Sequence, residues 1–145
     1  ITEVTGINKK ITCKSGCGFC CHAEIPVGTF EAIYIKEIVK DLKIDKDALK
    51  VQLTADIYND LNFQERKCTL LKDNKCSIYK NRPLACRSHN SLDKAELCDK
   101  TKNPNQKIRK AMNIDIEAIQ LAFALVSNNG QTDLHKIINE RIGQI

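Results

Sequence analysis

The sequence predicts a small, mainly α-helical single domain whose helices pack around irregular, cysteine-rich metal-binding loops. Its 145 residues are enough for one hydrophobic core and too few for two ordinary domains. Apolar residues recur every three to four positions in several segments, as in amphipathic helices. The eight cysteines lie between those segments. We therefore expect one domain over residues 1–145, with metal-binding loops at 11–26 and 66–100 and a helical part at 105–145.

Two scaffold helices are predicted in the first half of the chain. Thr29 can cap the first, which should end near Lys43. Its expected apolar face consists of Phe30, Ile33 or Tyr34, Ile38 and Leu42. Asp45 or Asp47 can cap the second. Its expected apolar face consists of Leu49, Leu53, Ile57 and Leu61.

Short pieces are predicted between residues 66 and 100, followed by two more helices. Asp73-Asn74-Lys75 is a turn signal, and Pro83 can stand in the first turn of a short helix. The helix expected after Pro104 has its apolar positions at Ile108, Met112, Ile116, Ile119, Phe123 and Val126. The last helix, capped by Thr132 or Asp133, carries Leu134, Ile137, Ile138 and Ile142.

The cysteines are the main functional signal. Four of them lie within nine residues, and no regular helix or strand could turn all four toward one apolar interior. The spacing Cys17-Gly18-Phe19-Cys20 is a knuckle in which two thiolates can share a metal. We interpret all eight as metal ligands: Cys13, Cys17, Cys20, Cys21, Cys68, Cys76, Cys86 and Cys98.

The adjacent cysteines Cys20 and Cys21 restrict how the ligands are divided. Neighbouring side chains point to opposite faces of a strand or about 100° apart on a helix, so one ion should not hold both. Two mononuclear sites, one polynuclear cluster, or one cluster plus one ion all remain open, and two centres of four cysteines are a natural division. Zinc and iron, the latter also as an iron–sulfur cluster, accept such sites equally.

Two longer motifs carry a resemblance to a known family. The first is Cys13-x3-Cys17-Gly18-Phe19-Cys20-Cys21, and the second runs from Cys68 through Cys76-Ser77-Ile78-Tyr79-x2-Arg82-Pro83-x2-Cys86-Arg87. Together with Cys98 they resemble the microbial CxxCxxCC cysteine-cluster proteins, often called YkgJ-type and described as zinc- or iron-chelating domains. The resemblance implies a chelating module, at times described as an iron–sulfur oxidoreductase. A similar motif in the enzyme that methylates flagellin lysines keeps an iron–sulfur-dependent modifying enzyme as an alternative.

Several polar residues near the cysteines have weaker signals. Arg82 and Arg87 could donate to thiolates, or could simply open a helix and face solvent. Tyr79 is expected to pack as a half-buried aromatic. Of the histidines, His22 and His89 are possible replacement ligands that the eight cysteines make unnecessary. His135, in a segment without cysteines, is expected to face solvent.

Charge and composition bear on partners and compartment. The formal charge of +5 would favour nucleic acid, but two four-thiolate zinc sites would lower it to about +1. There is no stacking platform of basic and aromatic residues, so a zinc module that mediates protein or nucleic-acid interaction is only an alternative. The first residues are polar, no segment is apolar enough to span a membrane, and we expect a cytoplasmic protein with reduced thiols. The partner, protein or small molecule, and any catalytic role stay unknown.

Overall fold

The computed structural model describes residues 11–54, 66–126 and 130–143. About half of these residues are helical. The helices are α1 (Thr29–Val39), α2 (Lys46–Thr54), α3 (Leu84–Ser88), α4 (Ile114–Val126) and α5 (Leu134–Ile142). The short strands are β1 (Pro26–Gly28), β2 (Leu71–Lys72), β3 (Lys75–Cys76), β4 (Asn90–Ser91), β5 (Lys110–Ala111) and β6 (Gln131–Asp133). The fold is therefore a set of helices joined by three small antiparallel strand pairs, β1–β6, β2–β3 and β4–β5.

The hydrophobic core joins the helices to the cysteine-bearing segments. Helices α1 and α5 make the most extensive helix pair, and α2 also packs on α5. From the helices the core takes Ile35, Val39, Leu49, Leu134, Ile137 and Ile138. From the segments around the cysteines it takes Ile25, Val27, Cys68, Leu70, Leu71 and Ile78. Because one cluster contains both groups, the helical scaffold fixes where the cysteine loops can lie.

Helix α1 buries only part of the predicted face, because Ile38 and Leu42 pack against the core but the other predicted residues do not. Ile35 and Val39 are fully buried, whereas Phe30, Ile33 and Tyr34 are about half exposed or more. The helix carries apolar residues on more than one face, and packing against α5 selects the face of Ile35 and Val39. The predicted cap was also wrong, because Gly28 occupies the N-cap position and Thr29 is the first helical residue.

Local signals for α2 and for the β2–β3 hairpin are confirmed. The Asp45 side chain accepts the Ala48 N–H at 3.0 Å, which is an N-cap bond. Leu49 is fully buried on α2, while Ile57 and Leu61 lie outside the described residues. Asp73 and Asn74, between β2 and β3, both have positive φ, as a two-residue hairpin turn of the primed type requires.

The helix predicted after Pro104 is shorter than expected. Residues 110–111 form β5, which pairs with β4, and α4 begins only at Ile114 after Asn113, whose side chain accepts the Ile116 N–H. On α4 only Ile116 is buried, whereas Met112, before the helix, and Val126 are largely exposed. The predicted face is therefore not a core face. Within the described residues, no helix is both long and apolar enough to cross a lipid bilayer.

The last helix matches its prediction. Asp133 is its N-cap and accepts the His135 backbone N–H at 2.8 Å, and Gly143 ends the helix in the left-handed conformation. Leu134, Ile137 and Ile138 are buried in the core. Directly before this helix, β6 pairs with β1, so that residues 131–133 lie beside residues 26–28.

A half-buried carboxylate connects α1 to α3. The Glu31 side chain accepts the Leu84 N–H at the start of α3, and it also accepts the Gly28 N–H at the start of its own helix. Because α3 carries Cys86, this contact fixes a cysteine-bearing segment relative to α1. Burial raises the pKa of Glu31, against the effect of these hydrogen bonds.

Replacing Glu31 with alanine should therefore destabilise the protein. Two helix-terminal N–H groups would lose their acceptor, which costs about 1–2 kcal/mol of unfolding free energy. Urea unfolding followed by circular dichroism measures this. Glu31→Gln keeps an acceptor oxygen and should lose less. Glu37→Ala removes an exposed carboxylate from the same helix and is the matched control, so an equal loss in Glu37→Ala and Glu31→Ala would contradict the assignment.

Candidate metal centre

The segment with Cys13 and Cys17 is held against β4. Thr12 donates its backbone N–H to the Ser91 carbonyl at 3.0 Å, and Ser91 donates its N–H to the Cys13 sulfur at 3.1 Å. The chain then turns at Gly16, whose φ of 91° favours glycine. The Phe19 N–H donates to the Cys17 sulfur. Backbone donors aimed at sulfur are characteristic of metal knuckles.

Cys20 and Cys21 lie in a 3₁₀ turn, Phe19–His22. With three residues per turn, successive side chains in such a turn point about 120° apart. Gly18, just before the turn, is packed against Leu71, since a Cβ there would lie 3.3 Å from the Leu71 methyl carbons. The hairpin β2–β3 is thus packed against the turn that carries both adjacent cysteines.

The other four cysteines come from separate short elements. Cys68 precedes the hairpin and donates its N–H to the Cys21 carbonyl at 2.7 Å. Cys76 ends β3, and its sulfur accepts the Ile78 N–H, a contact that the sequence analysis did not identify. Cys86 lies in α3, and Cys98 ends a 3₁₀ turn, Ala95–Cys98. All eight cysteines are free thiols.

The thiols affect one another's pKa values within two overlapping groups, and Cys20 belongs to both. Burial raises the pKa of Cys13 and Cys17, and the charges of Cys20 and Cys98 raise both further. We call Cys13, Cys17, Cys20 and Cys98 the Cys13 set. Burial also raises the pKa of Cys86, to about 12, and Cys68 and Cys76 add to it. Cys21 interacts with the same two residues. We call Cys21, Cys68, Cys76 and Cys86 the Cys68 set.

The adjacent cysteines connect the two sets. The Cys21 thiol donates a hydrogen bond to the Cys20 sulfur, which lowers the pKa of Cys20 and raises that of Cys21. Cys20 also raises the pKa of Cys76 and Cys86, so it lies close to both sets. The two sets therefore lie next to each other and meet at Cys20 and Cys21.

Two adjoining cavities lie at the cysteines. The first, of about 90 Å³, is lined by six of them: Cys17, Cys20, Cys21, Cys68, Cys76 and Cys86. The second, of about 230 Å³, shares Cys20 and His89 with the first and is also lined by Cys98, Lys100 and Lys110. The first is mainly the space of the Cys68 set, and the second opens toward the Cys13 set.

Arg82, rather than Arg87, is the arginine that acts on the thiols. Its positive charge lowers the pKa of Cys76 and Cys86 against the effect of burial, and it lines the first cavity. Its guanidinium lies 3.9 Å from the centre of the Tyr79 ring, a cation–π contact. Arg87 instead donates to the backbone carbonyls of Arg82 and Lys80, so it holds the loop before α3.

One of the three histidines differs from its prediction in how exposed its side chain is. His22 ends the 3₁₀ turn, and His89 lines both cavities, where burial lowers its pKa. The prediction that His135 faces solvent was wrong, because His135 is only 2% exposed. The sequence contained a signal for this: His135 precedes Ile138 by three residues and Ile142 by seven, which places it on the apolar stripe of α5.

The donor set fits zinc or iron by its chemistry. Thiolates are ligands that both metals accept, and three backbone N–H groups already point at sulfur atoms. Across residues 11–54, 66–126 and 130–143, no three His, Cys, Asp or Glu side chains meet in a geometry that would hold one ion as placed. The contacts therefore define neighbourhoods of thiols rather than finished coordination spheres.

These features define a cysteine-rich, metal-binding domain. A family model with the description "CxxCxxCC: Putative zinc- or iron-chelating domain" matches residues 12–113, which is more than half of the chain. The chain belongs to this family, as its cysteine motifs predict. No curated protein and no solved structure gives a match.

Proposed function

We propose that this protein binds zinc or iron through two neighbouring centres of four cysteines each, formed within one domain by the loops 11–26 and 66–100. The Cys13 set would hold one centre and the Cys68 set the other. In each centre the metal supplies a positive charge that keeps the four sulfurs together as thiolates. Binding would draw the sulfurs inward from their positions as free thiols.

The observation that carries this proposal is the pattern of interactions among the thiols, in which Cys20 alone is common to both sets. Within the Cys13 set, Cys13 and Cys17 interact with Cys20 and Cys98. Within the Cys68 set, Cys21 and Cys86 interact with Cys68 and Cys76. A 3₁₀ turn directs the two adjacent sulfurs about 120° apart, so each can serve a different centre. Eight thiolates then form two complete tetrahedral sets.

Several groups around the sulfurs stabilise thiolates and partly offset the effect of burial, which raises the pKa of Cys13, Cys17, Cys76 and Cys86. Ser91, Phe19 and Ile78 direct backbone N–H groups at Cys13, Cys17 and Cys76. Arg82 adds a positive charge inside the first cavity. Two zinc centres would each carry a charge of about −2, and the formal charge of +5 on the chain compensates for it.

Anaerobic purification followed by elemental analysis tests the proposal. We expect two zinc ions per chain, or iron and sulfide in amounts that correspond to two centres. Visible absorption distinguishes the metals, because zinc thiolates are colourless. Protein that contains neither metal after anaerobic purification, and takes up neither on titration, would refute the proposal.

An iron–sulfur centre with an electron-transfer role is the second candidate. The second cavity gives access to the Cys13 set from outside, whereas Cys68 is only 5% exposed. A cluster held by the Cys13 set would thus be reachable by an electron donor. This candidate predicts brown protein whose colour bleaches on reduction with dithionite and returns on reoxidation. A colourless anaerobic preparation with zinc alone contradicts it.

Metal binding should release protons and weaken as the pH falls. Burial keeps the pKa of Cys13, Cys17, Cys76 and Cys86 above the ordinary value, so these thiols are protonated at pH 7. Each must lose its proton to bind a metal, and each released proton lowers the affinity about tenfold per pH unit on acidification. Zinc titration by calorimetry in buffers of different ionisation enthalpy counts the protons. A proton count near zero would mean that the thiols are already ionised.

A further inference from the structure

A buried histidine lies outside the residues that the family model matches and close to one of the cysteines. His135, on α5, lies beyond residue 113, where the matched segment ends. Its side chain is 2% exposed, and its Nδ1 lies 3.0 Å from the Asp133 carboxylate oxygen Oδ1. Asp133 is itself fixed, because it also accepts the backbone N–H groups of His135 and Ile25. Asp133 therefore fixes the orientation of the imidazole ring through its contact with Nδ1.

The other ring nitrogen is buried without a matching partner. Nε2 makes no hydrogen bond of standard geometry with the part of the chain that the structure describes. Burial lowers the pKa of His135, whereas the Asp133 carboxylate and the nearby Cys68 thiol raise it, so Cys68 is the cysteine close to the ring. A buried N–H without an acceptor is costly, and a thiolate on Cys68 would accept it.

Backbone hydrogen bonds hold Cys68 and the neighbour of His135 against the same segment of the chain. Leu134, next to His135, donates its N–H to the Ile25 carbonyl at 3.0 Å and lines the first cavity together with Cys68. Cys68 donates its N–H to the Cys21 carbonyl. Leu134, beside His135, and Cys68 are therefore both bound to the segment 21–25 through the backbone.

We propose that His135, oriented by Asp133, donates its Nε2–H to the sulfur of Cys68 and so positions and tunes the metal centre of the Cys68 set. This inference rests on the proposed function, because it takes Cys68 as a ligand. His135 is a positioning residue and does not bind the metal. Asp133, His135 and Cys68 form a carboxylate–imidazole–thiolate chain of the kind that orients ligands around protein-bound metals.

A matched pair of substitutions tests the donor. His135→Gln keeps an N–H donor near the position of Nε2, whereas His135→Leu has a similar size and no donor. Competition with a chromophoric chelator measures the Zn²⁺ affinity, and Co²⁺ as a probe gives sulfur-to-metal absorption bands. We expect His135→Leu to bind Zn²⁺ roughly 10–100-fold more weakly than the wild type. Its Co²⁺ bands should shift to longer wavelength, since an unbonded thiolate gives up electron density more easily. His135→Gln should recover part of both effects.

Controls separate tuning from folding. Ile138→Val trims the same helix in the core, and Lys136→Gln changes an exposed residue beside His135. Neither should move the Co²⁺ bands.

A wild-type protein that binds no metal would refute the proposed function. A wild type that binds metal, with unchanged bands and affinity in His135→Leu, would overturn this inference alone. If neither His135 variant folds, ¹⁵N spectra of the wild-type zinc protein decide, because an unprotonated Nε2 contradicts the donation.

Discussion

Removing the metal from the folded protein is expected to unfold the loops 11–26 and 66–100. These loops contain only short strands, 3₁₀ turns and the five-residue helix α3, so little secondary structure holds them without ligands. A structural four-thiolate zinc site contributes about 10–16 kcal/mol. That matches or exceeds the whole stability of an ordinary domain, about 5–15 kcal/mol. The loss of metal should therefore remove most of the folding free energy of this region.

Hydrogen exchange with mass spectrometry measures the effect segment by segment. With a chelator and a reductant present, we expect amide protection to disappear from 11–26 and 66–100. Partial protection should remain in α1 and α5, where Ile35, Val39, Ile137 and Ile138 form an interface without sulfur. Adding Zn²⁺ back should restore the original pattern, which controls for irreversible damage. A fully metal-free protein with unchanged exchange and circular dichroism would contradict this expectation.

Substituting single cysteines should remove one metal centre and leave the other. Cys98→Ala takes a ligand from the Cys13 set, and Cys76→Ala takes one from the Cys68 set. With three thiolates left, the affected centre loses most of its affinity, while four thiolates remain in its neighbour. Elemental analysis should then find about half of the wild-type metal content in each variant.

Double substitutions provide the matched controls. Cys76→Ala with Cys86→Ala damages one set twice and should keep the half content of the single variants. Cys76→Ala with Cys98→Ala damages both sets and should leave almost no metal. The two double variants have the same number of thiols, so their difference reports the division itself. If every single variant already loses all metal, the eight cysteines belong to one polynuclear cluster instead.

Local chemistry made part of the fold predictable. The turn at Asp73 and Asn74 and the cap at Asp133 each depend on residues within a few positions, and the structure confirms both. The face of α1 could not be predicted in the same way, because the helix carries apolar residues on more than one side. Only the packing of α5 against Ile35 and Val39 selects one of them.

Contacts between distant segments explain the other differences. The periodicity after Pro104 is helical, but Lys110 and Ala111 pair with Ser91 and Asn90 and are held as a strand. The proposed division of the cysteines into two sets also depends on contacts between distant segments. Spacing alone gives the pair Cys17 and Cys20, whereas the association of Cys98 with Cys13 depends on the folded chain. The sequence also predicts an exposed His135, because no cysteine lies near it along the chain and its contacts in the core come from distant segments.

The position of α5 has a consequence for how this domain is delimited. The recognisable motif region stops at residue 113, yet Leu134, Ile137 and Ile138 fill the centre of the core and β6 completes a strand pair with β1. A fragment trimmed to the motif region would leave Val27, Ile35 and Val39 without their packing partners. We therefore expect the smallest unit able to fold around its cysteines to extend at least to the end of α5, about thirty residues past the matched segment.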